Sequence, residues 1–329
     1  FFWECTAQCN LACLHCGSDC KVQPSIANMP AEDFLNVARQ VASHYDPAGV
    51  MVVITGGEPL MRNDLHEVGA ELMKLGFAWG MVSNGYLFTP EKFRLLRNNG
   101  LRSVTISLDG LEESHDWMRG KQGSFEKAMN AIRILAAEPG MTYDVVTCVN
   151  QRNFGELEQI SQLLAEAGVK RWRLFMIDPI GRAAENSELF LSGEQFRRLL
   201  NYIVTLRREG NMAVSYGCDG YLGVYETHVR DGFFFCRAGI HVASVLANGD
   251  ISACPNIDRG FVQGNIYTDD FMDVWNTRFQ IFRNRTQLKQ GVCSHCKEWK
   301  HCWGNGMHLH HPGGKGPVVC YHHKLSGNG

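Results

Sequence analysis

The chain has 329 residues, 45% hydrophobic and 20% charged, the balance of a folded globular protein with room for one large domain and a smaller one. Its formal net charge of -2 excludes a basic field that would draw it to nucleic acid, and no apolar run reaches the length of a membrane span, so a soluble protein is expected. Cysteine is the outlier: 13 residues, clustered at short spacings in a long chain, point to metal rather than to a disulfide scaffold.

From Phe1 to about Arg208, short β-branched or aromatic runs alternate with amphipathic stretches of helical period, the pattern of parallel strands joined by crossover helices. Six strands are predicted, over about Phe2–Thr6, Val50–Thr55, Ala78–Ser83, Arg102–Leu108, Thr142–Val149 and Arg171–Ile177. Pro30 and Pro90 fit first-turn positions of helices, Thr89 fits as the cap beside Pro90, and Ser124 and Ser192 fit as caps of later helices. Past about Gly210 the alternation stops and Cys, Gly and His take over, which places a boundary between an α/β domain, 1–209, and a cysteine-rich domain, 210–329. Within the second, Ala243–Leu246 and Asp250–Ala253 read as a hairpin around Asn248-Gly249, and Asp270–Phe282 reads as a short helix. The stretch from His308 to Gly329 shows no core pattern, and there is no repeat of fixed period. The first residue is phenylalanine, which leaves open an upstream segment; the cytoplasm is the expected compartment.

Directly after the first strand stands Cys9-Asn10-Leu11-Ala12-Cys13-Leu14-His15-Cys16, a C-x-x-x-C-x-x-C spacing. Three thiolates hold three irons of a cubane and leave the fourth iron without a protein ligand. A register beginning at Cys5 would need cysteine where Ala12 stands, so Cys9, Cys13 and Cys16 are the consistent set, with Cys5 and Cys20 as buried bystanders. The rival reading is a structural zinc site or redox thiols, although zinc sites usually pair two short-spaced dyads.

Together with Thr55-Gly56-Gly57-Glu58-Pro59 after the second strand, this motif resembles the radical S-adenosylmethionine (SAM) superfamily over about residues 1–185. The resemblance implies a partial (β/α)6 barrel and a 4Fe-4S cluster whose open iron is chelated by the amino and carboxylate groups of SAM. It implies that an electron from the cluster breaks a carbon–sulfur bond and releases a 5′-deoxyadenosyl radical. It puts Gly56 and Gly57 against the methionyl group, with Glu58 ordering that loop and the amine. By the same resemblance Ser83 and Asn84, and Ser107 and Asp109 of Ser107-Leu108-Asp109-Gly110, approach the cofactor, with Ser107 at its ribose or carboxylate. Arg119 is expected at that carboxylate, which its planar fork suits, or else is a solvated helix charge. Asn150 ends the fifth strand at a similar level, and Met176 is expected either beside adenine or in the core.

The second half carries Cys236, then Gly249 after twelve residues, then Cys254 after four more, followed by Cys293-Ser294-His295-Cys296, Cys302 and Cys320. These spacings resemble the SPASM extension over about 210–325, which implies one or two auxiliary 4Fe-4S clusters. Carried over individually, Cys293, Cys296, Cys302 and Cys320 complete one cluster, and Cys218, Cys236 and Cys254 supply three ligands of another. Relatives commonly have a further cysteine where this chain has Gly306, so the inner cluster has an open iron, another ligand (His301, His308, Asn305 or a substrate thiolate), or no stable existence. A zinc ribbon on Cys293, Cys296, Cys302 and Cys320 is the alternative. Some sulfatase-maturing relatives carry an aspartate just after the position of Cys254; Pro255-Asn256 here disfavours formylglycine formation.

The expected function is radical modification of a peptide or protein side chain, by thioether or carbon crosslinking or by epimerisation, with electrons from a flavodoxin- or ferredoxin-type donor. The alternatives are a small-molecule enzyme of cofactor or tetrapyrrole synthesis and a non-catalytic electron carrier. No nucleic-acid or membrane partner is expected, and no catalytic base is assigned.

Overall fold

Val52 and Ile54, Val104 and Ile106, and Trp172 and Leu174 are fully buried and alternate with half-buried or exposed neighbours. A strand packed on both faces would be apolar throughout; this alternation covers one face with helices and leaves the other to line an interior space. In the computed structural model, which describes residues 1–18, 20, 23–217 and 220–327, the result is a mostly parallel α/β sheet. Cys218, an expected cluster ligand, lies outside the described residues.

The elements alternate as β1 (Phe2–Glu4), α1 (Ala31–His44), β2 (Met51–Thr55), α2 (Leu65–Lys74), β3 (Ala78–Ser83), α3 (Pro90–Asn98) and β4 (Leu101–Ser107). Then come α4 (Glu112–Arg119), α5 (Ser124–Ala136), β5 (Thr142–Val149), α6 (Leu157–Glu166), β6 (Arg171–Met176), α7 (Gly193–Glu209) and β7 (Ala213–Tyr216). Strands β1 to β7 lie side by side in chain order and all parallel. β7 is not paired with β1, so the barrel stays open, as a partial TIM-like barrel.

The remaining chain forms α8 (Glu226–Val229), β8 (Ser244–Val245), β9 (Asp250–Ser252), β10 (Gly264–Asn265), α9 (Phe271–Thr277), α10 (Gln280–Arg283), α11 (Trp299–Cys302) and α12 (Tyr321–Ser326). The expected hairpin is the β8–β9 pair, and it extends the barrel sheet: β8 runs parallel to β1, with Phe2 opposite Ser244. Glu4 ties the two together, its carboxylate accepting from Ala247 N and, at 2.7 Å, from Arg259. In the core, Trp3 stacks on Phe34 at 4.4 Å between ring centres.

Several local expectations need correction. The six strands were matched, but β7 is a seventh, too short at Ala213–Tyr216 to stand out as a pattern. Thr89 caps α3, accepting from Lys92 N at 3.2 Å, and Ser192 forms a capping box with Gln195. Pro30 sits at the capping position rather than inside the first turn, and Ser124 is the first helical residue, its hydroxyl spent on Asp116 at 2.8 Å. The helix read over Asp270–Phe282 breaks after Thr277 because the Arg283 guanidinium takes the carbonyls of Trp275 and Asn276. The C-terminal stretch is anchored by Tyr321, fully buried against Phe196.

Candidate active site

The loop between β1 and α1 is held by the segments that follow the neighbouring strands β2, β4 and β6. Ala12 N and Leu14 N donate to the carbonyls of Arg119 and Met118, and Arg182, after β6, donates from Nε to Cys13 O and from Nη1 to Cys20 O. Two glycines make this approach possible: a Cβ at Gly57 would stand 2.1 Å from Gln8 O, and one at Gly181 would stand 2.5 Å from Cys16 O. Cys9 and Cys13 are thereby buried and Cys16 half-buried in one cluster with Leu11, Cys20 and Tyr86.

The chemistry of these thiols fits a cationic cluster. Burial pushes the Cys9 thiol up to about 11 and raises Cys13 as well, so both stay protonated at neutral pH unless metal takes the proton's place. Cys16 is drawn down to about 6, first by a hydrogen bond from Cys20; Cys20 thus contacts an expected ligand thiol and buttresses it. The three thiols do not converge tightly enough to share a single ion: among the described residues only His15, Asp109 and Cys148 bring three ligand atoms within 4.8 Å of one another. A cubane, which gives each thiolate its own iron, suits this spread better than one zinc ion.

Glu58 is fully buried and organises the strand ends. Its carboxylate accepts from Ser83 Oγ at 2.9 Å, Asn84 N at 2.8 Å and Leu60 N at 3.1 Å. Burial nevertheless raises its pKa. Ser83 is therefore engaged with Glu58, while Asn84 turns its side chain to Asn10 Oδ1, 2.8 Å, and Cys9 Sγ, 3.9 Å. Ser107 is half-buried on the inward face of β4 and its hydroxyl makes no hydrogen bond among the described residues.

Arg119 is buried beside the cysteines, with Nη2 2.6 Å from Asp109 Oδ2 and Nη1 3.7 Å from Cys13 Sγ. Burial opposes its charge, and the Asp109 carboxylate is the chief group that offsets it, so its pKa is raised and it stays protonated. It is not a solvated helix charge, and its buried Nε lacks a hydrogen-bond partner among the described residues, as a donor awaiting an anionic ligand would. Asp109 acts as anchor: Oδ1 accepts from Cys148 N at 2.8 Å and Oδ2 faces Arg119 and, at 3.5 Å, His15 Nε2.

Asn150 has other partners, and Met176 takes the core place, one of the two expected for it. Asn150 closes a turn, its side-chain oxygen accepting from Arg152 N and Asn153 N and its amide donating to Cys148 O. Met176 lies on the helix side of β6 with Trp172 and Leu174, because period-two alternation turns Phe175 inward instead. Arg182, Cys148 and His15 were missed as participants; their roles depend on partners distant in sequence, and no spacing announces them.

In the second half, Cys293, Cys296, Cys302 and Cys320 line one small pocket together with Tyr221, Trp299 and His322. Burial pushes Cys293 up to about 11 and Cys302 up to about 12. The loop after Gly306 reaches the inner cysteines, with Met307 N 3.4 Å from Cys236 Sγ. Of the groups considered to replace the missing cysteine, Asn305 is committed to Tyr221 N and Val319 O, and His308 contacts Asp178 at 3.3 Å.

Comparison with known proteins bears on this arrangement directly. The profile of the radical SAM superfamily matches residues 3–164, and that of an iron-sulfur cluster-binding domain, SPASM, matches residues 236–297. The mycofactocin maturase MftC of Mycolicibacterium smegmatis is 30% identical over 313 residues, 93% of this chain and 77% of that protein. The chain belongs to the radical SAM superfamily. It is a radical SAM enzyme with a C-terminal SPASM domain, and its cofactors are SAM and 4Fe-4S clusters.

Among its radical SAM relatives is also the AdoMet-dependent heme synthase of Nitratidesulfovibrio vulgaris, 28% identical over 321 residues, 92% of this chain and 85% of that protein. The fold matches that of native anSMEcpe with bound AdoMet, with a TM-score of 0.77 and 17% identity over 99% of this chain and 94% of that one. Streptococcus suis SuiB bound to S-adenosylmethionine gives 0.72 and 19% identity over 92% of this chain and 71% of that one. Among the described residues no helix is long and apolar enough to cross a membrane.

Proposed function

We propose that this radical SAM enzyme modifies a side chain of a peptide or protein, with Cys9, Cys13 and Cys16 holding the SAM-binding cluster. When bound, that cluster and SAM supply reductive carbon–sulfur cleavage and the 5′-deoxyadenosyl radical. The chain's own residues bind and orient: Gly56 and Gly57 let the backbone close on the methionyl group, and Glu58 fixes the loops on either side. Arg119, already charged and held by Asp109, presents to the SAM carboxylate its Nε, which has no hydrogen-bond partner among the described residues. Cys293, Cys296, Cys302 and Cys320 hold the outer auxiliary cluster, and Cys236 and Cys254, with Cys218, serve the inner one. A flavodoxin- or ferredoxin-type protein is the proposed electron donor.

The observation that carries the peptide reading is the open barrel: β7 and β1 are not joined, so the interior is a trough open along one side. The likeness to MftC, a maturase, points the same way. A second reading, a tetrapyrrole substrate, rests on the likeness to the heme synthases. Anaerobic incubation of the reconstituted enzyme with SAM, reductant and either a precursor peptide encoded beside its gene or Fe-coproporphyrin III separates them. Release of 5′-deoxyadenosine in step with a mass change of the peptide is expected; release coupled to the porphyrin alone would replace the first reading by the second.

A further inference from the structure

Strand alternation sets which charges the trough contains. On the inward faces of β4 to β7 these are Asp144, Arg171 and Arg173, while Glu4 of β1, inward by the same alternation, is spent on Arg259. The ladder places Arg173 beside Val146, itself beside Ser107, so Arg173 stands level with Ser107. Asp144 and Thr105, paired with each other, lie one inward step lower, about 7 Å towards the amino ends of the strands.

Arg173 is locked on one side only. Its Nε donates to Asp144 Oδ2, Nη2 donates to Thr105 Oγ1 at 3.4 Å, and Thr105 Oγ1 donates to Asp144 Oδ1 at 2.6 Å. The guanidinium lies over the Phe175 ring, 5.6 Å from its centre. That ring is seated against Gly217, where a Cβ would come within 2.1 Å of it. Nη1 makes no hydrogen bond among the described residues, and 38% of the side chain is exposed. A planar group held by Nε and Nη2 offers its remaining Nη1–Nη2 edge, two parallel donors, to the trough.

Wall packing alone does not call for this arrangement. Apolar residues at 144 and 173 would cover the same surface without desolvating a charge pair, and a lysine would neutralise Asp144 without a second donor edge.

We propose that Arg173 anchors a carboxylate of the substrate inside the trough, with Asp144, Thr105 and Phe175 as its positioning residues. The inference rests on the reading that the trough is the substrate site. It names one chemistry, a carboxylate, with two sources: the chain end or an acidic side chain of a peptide, or a propionate of a tetrapyrrole.

Binding to the SAM-loaded holoenzyme is measured for two pairs: Fe-coproporphyrin III against its tetramethyl ester, and the precursor peptide against the same peptide with its carboxylates amidated. In one pair the free acid is expected to bind about tenfold tighter or more. Arg173→Gln brings that ratio to about one, and Arg173→Lys leaves it at about threefold. Iron content equal to wild type qualifies each variant as folded, and the lysine variant carries the comparison should the glutamine variant fail. Preference in the porphyrin pair alone supports the anchor and removes the peptide reading; preference in the peptide pair supports both. No acid preference of the wild type in either pair, or full preference in a folded Arg173 variant, overturns the anchor.

Discussion

A side chain at Gly57 has nowhere to go: the nearest atoms are the carbonyl of Gln8 and the Cβ of Cys9, at 2.1 and 3.1 Å from an added Cβ. Gly57→Ala must therefore move the loop that carries the first cysteine. The expected result is loss of about four irons per chain, with the auxiliary complement kept. Gly49→Ala, where a Cβ meets nothing within 4 Å, is the matched control and should retain full iron; equal loading of the two proteins would contradict this account. At this scale the sequence carries residues whose meaning lies in short spacing. Glycines before Glu58 and three cysteines within eight positions are readable as a unit. Arg182 is not, because what it does, bracing the carbonyls of Cys13 and Cys20 from the segment after β6, is set by the curling of six strands side by side. Met176 faces the core and Phe175 the interior for a related reason: the last residue of a strand faces inward or outward by a register that one position reverses.

β1 is three residues long and sits between two parallel partners, β2 and β8. Its second partner comes from the far end of the chain, and Glu4 completes the join through Arg259. A chain ending at Glu209 would lose β7 and β8 to β10, uncovering both edges of the barrel sheet, with Phe2 and Trp3 beside one of them. Exposed edge strands with apolar neighbours template association. Such a truncation is expected to aggregate on size-exclusion chromatography; a monodisperse, cooperatively melting 1–209 fragment would show the barrel to be self-sufficient. The strands themselves were legible because alternation is a local signal, and Thr89-Pro90 and Ser192 gave away their helix starts in the same way. The joining of β8 to β1 was not, since pairing across more than two hundred residues leaves no trace in either segment alone. The break between α9 and α10 depends likewise on a guanidinium arriving from beyond it.

Charge is distributed unevenly over the molecule. Residues 289–329 carry Lys289, Lys297, Lys300, Lys315 and Lys324 against a single acid, Glu298, in a chain whose net charge is -2. Four of these lysines are exposed, and two of them, Lys297 and Lys300, directly flank residues that line the pocket of Cys293, Cys296, Cys302 and Cys320. An acidic flavodoxin approaching this face would be steered by a field that salt weakens, with a screening length of about 10 Å at 0.1 M. Exchanging Lys297 and Lys300 for Glu is expected to slow reduction by such a carrier severalfold at low salt, while photoreduced deazaflavin reduces variant and wild type alike. Equal carrier rates for the two proteins would move the entry point for electrons elsewhere. The unjoined edges of the sheet bear on what the enzyme can accept. A sealed ring admits a substrate only end-first, through its rim. A gutter can be loaded broadside, so the middle of an extended substrate can be laid next to the radical without threading, and the product can lift away along the same line.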